Sequence, residues 1–234
     1  DCSFGIQLKR IKIEGDIELF NCIVDFPVLI NDSIVNGDIN LQNSKIAHFS
    51  LAGSEIRNLN ANGVNINGDI FLRNGFVCKG LIDLSRSHVT GEVCINRATI
   101  NGNSNRSLKA DGAIFDRGLF IRRSNLTGEL RLIRTKISGE VSLEGTSISV
   151  SGTRALNADN MKLNGFINMN HGFWANSEIN LFGAVINGNV EFIDCVIENF
   201  DKKYKAIQAN RMSVAGSLLL GNKDKSCSVK GTVS

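Results

Sequence analysis

Proline, tryptophan and tyrosine each occur once in these 234 residues, against 23 glycines. The scarcity of proline excludes a proline-rich linker or stalk, and so few amphipathic rings leave little for stacking along a polysaccharide. No apolar run approaches the ~18–20 residues that a membrane-spanning helix needs. The six cysteines, at 2, 22, 78, 94, 195 and 227, include no C-x-x-C pair, so a zinc ribbon or a thioredoxin-like site has no basis. The Gly-x-x-x-x-Gly-Lys phosphate loop and the Gly-x-Ser-x-Gly nucleophile elbow are both missing. A formal charge of +3 is too small to demand nucleic acid and has the wrong sign for an acidic mimic of it. With 42% hydrophobic and 21% charged residues the chain can bury a core, which excludes disorder.

What the sequence has is repetition. Four segments align around Ala61, Ala110, Ala158 and Ala209, which are 49, 48 and 51 residues apart. A shorter unit lies inside this one: Gly128 to Ser138 is followed at once by the matching stretch Gly139 to Ser149. The consensus is eleven residues long: Gly, polar, apolar, any, apolar, any, any, small, any, apolar, polar. Nineteen units, from a start at Phe4 to one at Gly216, cover nearly the whole chain, and a further one begins at Gly231. The inward candidates are unit positions 3, 5, 8 and 10, such as Leu130, Leu132, Thr135 and Ile137. A spacing of two within each pair is the strand period, and the step between pairs marks a corner. Nothing keeps a 3.6-residue period, and β-branched residues are frequent, so helix is excluded. Seven Asn-Gly pairs, at 36, 62, 67, 74, 101, 164 and 187, are expected to supply positive φ at tight corners.

The half-units Ser44-Lys45-Ile46, Ala98-Thr99-Ile100, Ser124-Asn125-Leu126 and Thr135-Lys136-Ile137 resemble the small-x-aliphatic core of bacterial pentapeptide-repeat proteins, with a period of eleven in place of ten. The resemblance implies a right-handed, four-sided parallel β-helix. Similar Gly-Glu-apolar-x-Leu arrays also occur in bacterial proteins, some of them membrane-associated. An eleven-residue coil is too tight for an aliphatic core, so two units, about 22 residues, are expected to form one rung, giving roughly nine to ten rungs and a rod of about 45 Å. Longer steps follow units 9, 13, 17 and 19, all odd, so every insertion should leave from the same edge. The whole of 1–234 reads as one β-helix repeat domain, and the partial units at its ends predict a piece of a longer protein whose open ends self-associate.

The cysteine spacing predicts free thiols in a reducing compartment, with Cys22 and Cys195 filling the small inward position 8 and Cys94 outward and accessible. His48, His88 and His171 fall at different unit positions and suggest no metal site. Acidic residues recur at unit position 2 (Asp16, Asp38, Asp69, Glu92, Glu129, Glu140 and Glu178), the pattern of a solvated sheet face that pairs with basic rows.

Arginine is the sharpest surface feature. Arg73, Arg97, Arg122 and Arg123 occupy positions 6 and 7 of units 7, 9 and 11, so they should stack as a ladder on three consecutive rungs. Arg117, Arg131, Arg134 and Lys136 should add to the same basic centre. The insertions Gly102–Asn105, Val150–Thr153 and Asn199–Tyr204 belong to the same odd units. The last of them holds Phe200, Lys202, Lys203 and Tyr204, a mixture suited to a contact surface. These eight residues are the candidate binding set; no catalytic residue, metal or cofactor is indicated. The chain reads as a non-catalytic scaffold presenting a loop-and-arginine edge to a protein partner. Alternatives are a carbohydrate-active β-helix, and a binder of an anionic ligand such as a nucleotide or nucleic acid. The expected setting is cytoplasmic, as a soluble segment that does not itself enter a membrane but could belong to a membrane-anchored protein.

Overall fold

A computed structural model shows the chain wound into a parallel β-solenoid of stacked coils. The structure describes residues 5–199, 201 and 203–234, with the side chains of residues 103 and 104 left aside. Among the described residues there is no helix, and every strand pairing is parallel. Ile6 pairs with Val28 and Ile17 with Ile39, each 22 residues further along, so two eleven-residue units close one coil. A coil carries four short strands. In one central coil these are Leu59–Asn60, Asn65–Ile66, Ile70–Phe71 and Val77–Cys78. The middle two belong to one 17-stranded sheet and the outer two to the other. The cross-section is therefore four-sided, and the number of coils is close to that expected.

Positions 3, 5 and 10 point inward as the period demands: Leu130, Leu132 and Ile137 are all buried. Position 8 is small for a second reason, which is hydrogen bonding. The Ser124 hydroxyl accepts from the Ala98 N–H at 3.1 Å and donates to the Ile95 carbonyl at 2.7 Å, both on the preceding coil. Ser54 does the same for Ser33 and Ile30. At these corners the strand ladder is interrupted, and the hydroxyl supplies the partner that a buried backbone group requires.

The Asn-Gly expectation is only partly met. Positive φ recurs at position 7 of the units, and it is carried more often by residues such as Arg97, Arg123 or His171 than by glycines such as Gly63 or Gly145. Only the pairs at 62 and 74 contribute to it. In the pairs at 36, 67, 164 and 187 the glycine opens the next unit and is required for close approach: a Cβ on Gly188 would lie 2.6 Å from the Gly165 carbonyl oxygen of the coil before.

The cysteines also depart from expectation. Cys195 and Cys227 sit opposite one another in the pair of strands Cys195–Glu198 and Cys227–Lys230 and form a disulfide. Cys22, Cys78 and Cys94 are free. Cys94 is buried, not accessible, and its sulfur accepts hydrogen bonds from the side chains of Asn96, at 3.0 Å, and Arg73. Burial raises its pKa, with Arg73 opposing the shift, and pushes the Cys78 thiol up to about 12. Neither is an activated thiolate.

In the coil nearest the C-terminus, Leu218 and Leu220 occupy the inward column beyond Val190 and Phe192 and are 48% and 52% exposed.

Candidate functional site

The four predicted arginines come together at one corner. It follows the strands Ile70–Phe71, Val93–Cys94 and Leu119–Phe120, which lie side by side with Phe71 opposite Cys94 and Cys94 opposite Phe120. In each coil the chain then turns: Arg73 and Asn74, Asn96 and Arg97, Arg122 and Arg123. Backbone bonds lock these turns coil to coil, with Asn74 N–H donating to the Asn96 carbonyl at 3.0 Å and Arg97 N–H to the Arg122 carbonyl at 2.9 Å. With Glu144 of the following coil they line a surface cleft of about 340 Å³.

The members differ in how they are held. The Arg73 guanidinium lies over the Phe71 ring, 3.8 Å from its centre, and its Nε is buried without a hydrogen-bond partner. Arg122 lies over Phe120 at 4.6 Å and donates to Glu140 at 2.6 Å and to Ser142 at 2.8 Å. The ring faces orient both guanidiniums. Arg97 and Arg123 are exposed, and among the described residues neither has a carboxylate within ion-pairing distance. The acidic row thus neutralises one of the four. A sequence signal for the stacking existed but was not used: Phe71-Leu72-Arg73 and Phe120-Ile121-Arg122 repeat an outward Phe-x-Arg at equivalent unit positions, and residues two apart on a strand share a face. Asn74, Asn96 and Glu144 were missed because nothing in their spacing sets them apart.

Three of the other basic residues, Arg131, Arg134 and Lys136, do not join the ladder. Arg134 takes the positive-φ position of the opposite corner, Arg131 pairs with Asp111 at 2.7 Å, and Lys136 stands beside Lys162 on another face.

The insertions do share one side. Residues of the first and second, including Gly102, Asn105, Val150 and Ser151, line a common cleft. The second and third are tied by the Tyr204 hydroxyl, which donates to the Gly152 carbonyl at 3.1 Å. Arg154 and Lys203 flank the Tyr204 ring at 5.4 and 5.2 Å. Phe200 and Lys202 lie outside the described residues. This insertion corner and the arginine corner bound the same face, whose outward column runs Val77, Thr99, Asn125, Ser147, Trp174 and Val196.

The acidic row is less uniform than a solvated face would be. Glu129 and Glu178 are buried beneath the insertion corner. Arg154 donates to Glu178, and Arg106 lies 3.7 Å from Glu129. Burial raises the Glu129 pKa, opposed by a hydrogen bond from Asn157 and by Arg131, Arg106 and Arg154. These carboxylates anchor the insertions. Two of the three histidines have local partners: His88 meets Asp116 at 2.9 Å, and His48 packs edge-on to Phe71 at 4.9 Å, where burial lowers its pKa. Among the described residues no three of His, Cys, Asp and Glu gather into a metal-binding group, and no helix is long and apolar enough to cross a membrane.

The fold and site define a four-sided parallel β-solenoid with an arginine-lined corner beside a corner of ordered insertions. Comparison with family models, with curated proteins and with solved structures found no match.

Proposed function

We propose that the solenoid is a non-catalytic recognition scaffold whose loop-and-arginine edge docks a protein partner. The observation that carries this reading is the lock between distant insertions, in which Tyr204 bonds to Gly152 across 52 residues of sequence. Loops held in place before binding forfeit less conformational entropy on docking. They flank a face whose other border presents two unpaired guanidiniums, and arginine with tyrosine is the pairing enriched at interface centres. The carbohydrate reading is weaker, because Trp174 stands between Ser147 and Val196 with no second ring to continue a stacking row. The link to pentapeptide-repeat proteins rests on the four short strands per coil and the small position 8. The Cys195–Cys227 disulfide favours an oxidising compartment over the cytoplasm expected from the cysteine spacing.

The test is site-specific photo-crosslinking in the native host. A crosslinker at Asn125 or Ser147 should capture a protein that one at Lys136 or Lys162, on another face, does not. Tyr204→Ala combined with Arg97→Glu and Arg123→Glu should abolish that capture. Equal capture from both faces, or capture untouched by the substitutions, would refute this edge as the interface.

A further inference from the structure

The arginine cleft has a charge balance and a boundary that narrow its ligand. Four guanidiniums and Glu144 line it. Arg122 is already satisfied by Glu140, while Glu144 accepts a bond from Asn168 at 3.0 Å and stands at the cleft wall. Three guanidiniums against one carboxylate leave an excess of about +2, which matches the charge of about −1.5 to −2 on a phosphate monoester at pH 7. A carboxylate or a sulfate ester brings a single negative charge and leaves half of that excess unmet.

Geometry points the same way. Arg73, Arg97 and Arg123 come from three consecutive coils, so they line the cleft at different heights along the axis. A tetrahedral group with three acceptor oxygens can serve donors from several directions, whereas a planar carboxylate is satisfied by one guanidinium fork. Arg73 is fixed in place by the Phe71 ring beneath its guanidinium, so it lines the cleft in a set orientation. The cleft, about 340 Å³, is at the small end of ligand sites and suits a phosphate with a short organic portion.

The cluster is bounded along the axis. At the same corner, Asp32, two coils before Asn74, pairs with Lys9 at 3.6 Å, and Asp194, beyond Gly145 and His171, pairs with Lys225 at 2.7 Å. Both flanks are locally neutralised, so the unpaired positive charge is a focus and not a stripe.

We infer that this cleft binds the phosphate of a phosphate monoester. The site goes beyond the recognition reading and does not depend on it, since the chain can hold the ester whether or not a protein occupies the neighbouring loops.

Calorimetry on the whole chain with glycerol phosphate tests the inference. Saturable one-site binding is expected, and lactate and glycerol sulfate should bind at least about tenfold more weakly. Arg97→Gly with Arg123→Gly should weaken glycerol phosphate binding more than about tenfold. That double variant should keep its fold, because Gly53 and Gly145 already take the same positive-φ corner in neighbouring coils. A reading that needs no variant is the nitrogen-15 spectrum of the arginine side chains, where glycerol phosphate should shift the Arg97 and Arg123 signals and leave those of Arg10 and Arg211, at the two ends of the rod, unmoved. A phosphoserine peptide separates the sources of the ester: tighter binding than free phosphoserine marks a phosphate presented on a protein, and equal binding marks a small ester, either of which supports the site. No saturation up to about 10 mM, equal affinity for lactate, or full binding by the double variant would overturn it.

Discussion

Single residues in this protein act through the coil above or below them. Ser124 is the clearest case, because its hydroxyl serves both an N–H and a carbonyl of the preceding coil while fully buried. Ser124→Ala leaves both without a partner and should cost about 1–3 kcal/mol, read as a lower urea midpoint at unchanged slope. A loss no larger than that of a surface serine would show that the corner rearranges. Glu129 makes a second prediction. Burial raises its pKa in the folded chain, so the native state holds this proton more tightly than the unfolded state does. Its contribution is most favourable at pH below the ordinary glutamate range and is lost as the pH rises through the elevated folded value. Denaturation at a series of pH values should show this decline, and Glu129→Gln should flatten it. If the two profiles coincide, the carboxyl is not desolvated as its burial indicates.

At the scale of the element, the strands are too short to be stable alone, and each is defined by its partners in adjacent coils. Among the described residues the strand Cys227–Lys230 pairs with Cys195–Glu198, and the disulfide holds it there. With a sequence separation of 32, the chain-entropy account assigns this cross-link about 3–4 kcal/mol. Cys227→Ser, or reduction, should release this strand first: amide exchange should quicken over 218–230 while the central coils stay protected. Uniform quickening along the rod would mean that the last coil and the centre unfold as one unit. The same dependence on neighbours explains why Gly188 tolerates no side chain, since the obstacle is the backbone of the coil before it.

The whole molecule behaves as a stack in which each coil is the next one's cover. A cavity in the centre breaks two interfaces at once, so Leu132→Ala, at a fully buried site, should cost about 2–5 kcal/mol.

The sequence by itself determined the coil. An eleven-residue period with inward positions two apart admits parallel strands and no helix, and the parity of the insertions placed them on one edge, because both are properties of spacing alone. The arginine column at 73, 97, 122 and 123 was legible for the same reason. What spacing cannot carry is the chemistry between coils. Only the tertiary structure decided that Cys195 would meet Cys227, that Cys94 would be buried, that Tyr204 would reach Gly152, and that Glu129 and Glu178 would be buried under the insertions. It also decided which arginines were neutralised. Arg122 finds Glu140 while Arg97 and Arg123 find none, and that difference depends on side-chain reach across a step of one coil. The repeat registers such contacts but does not encode them, because residues at equivalent positions carry different side chains from coil to coil.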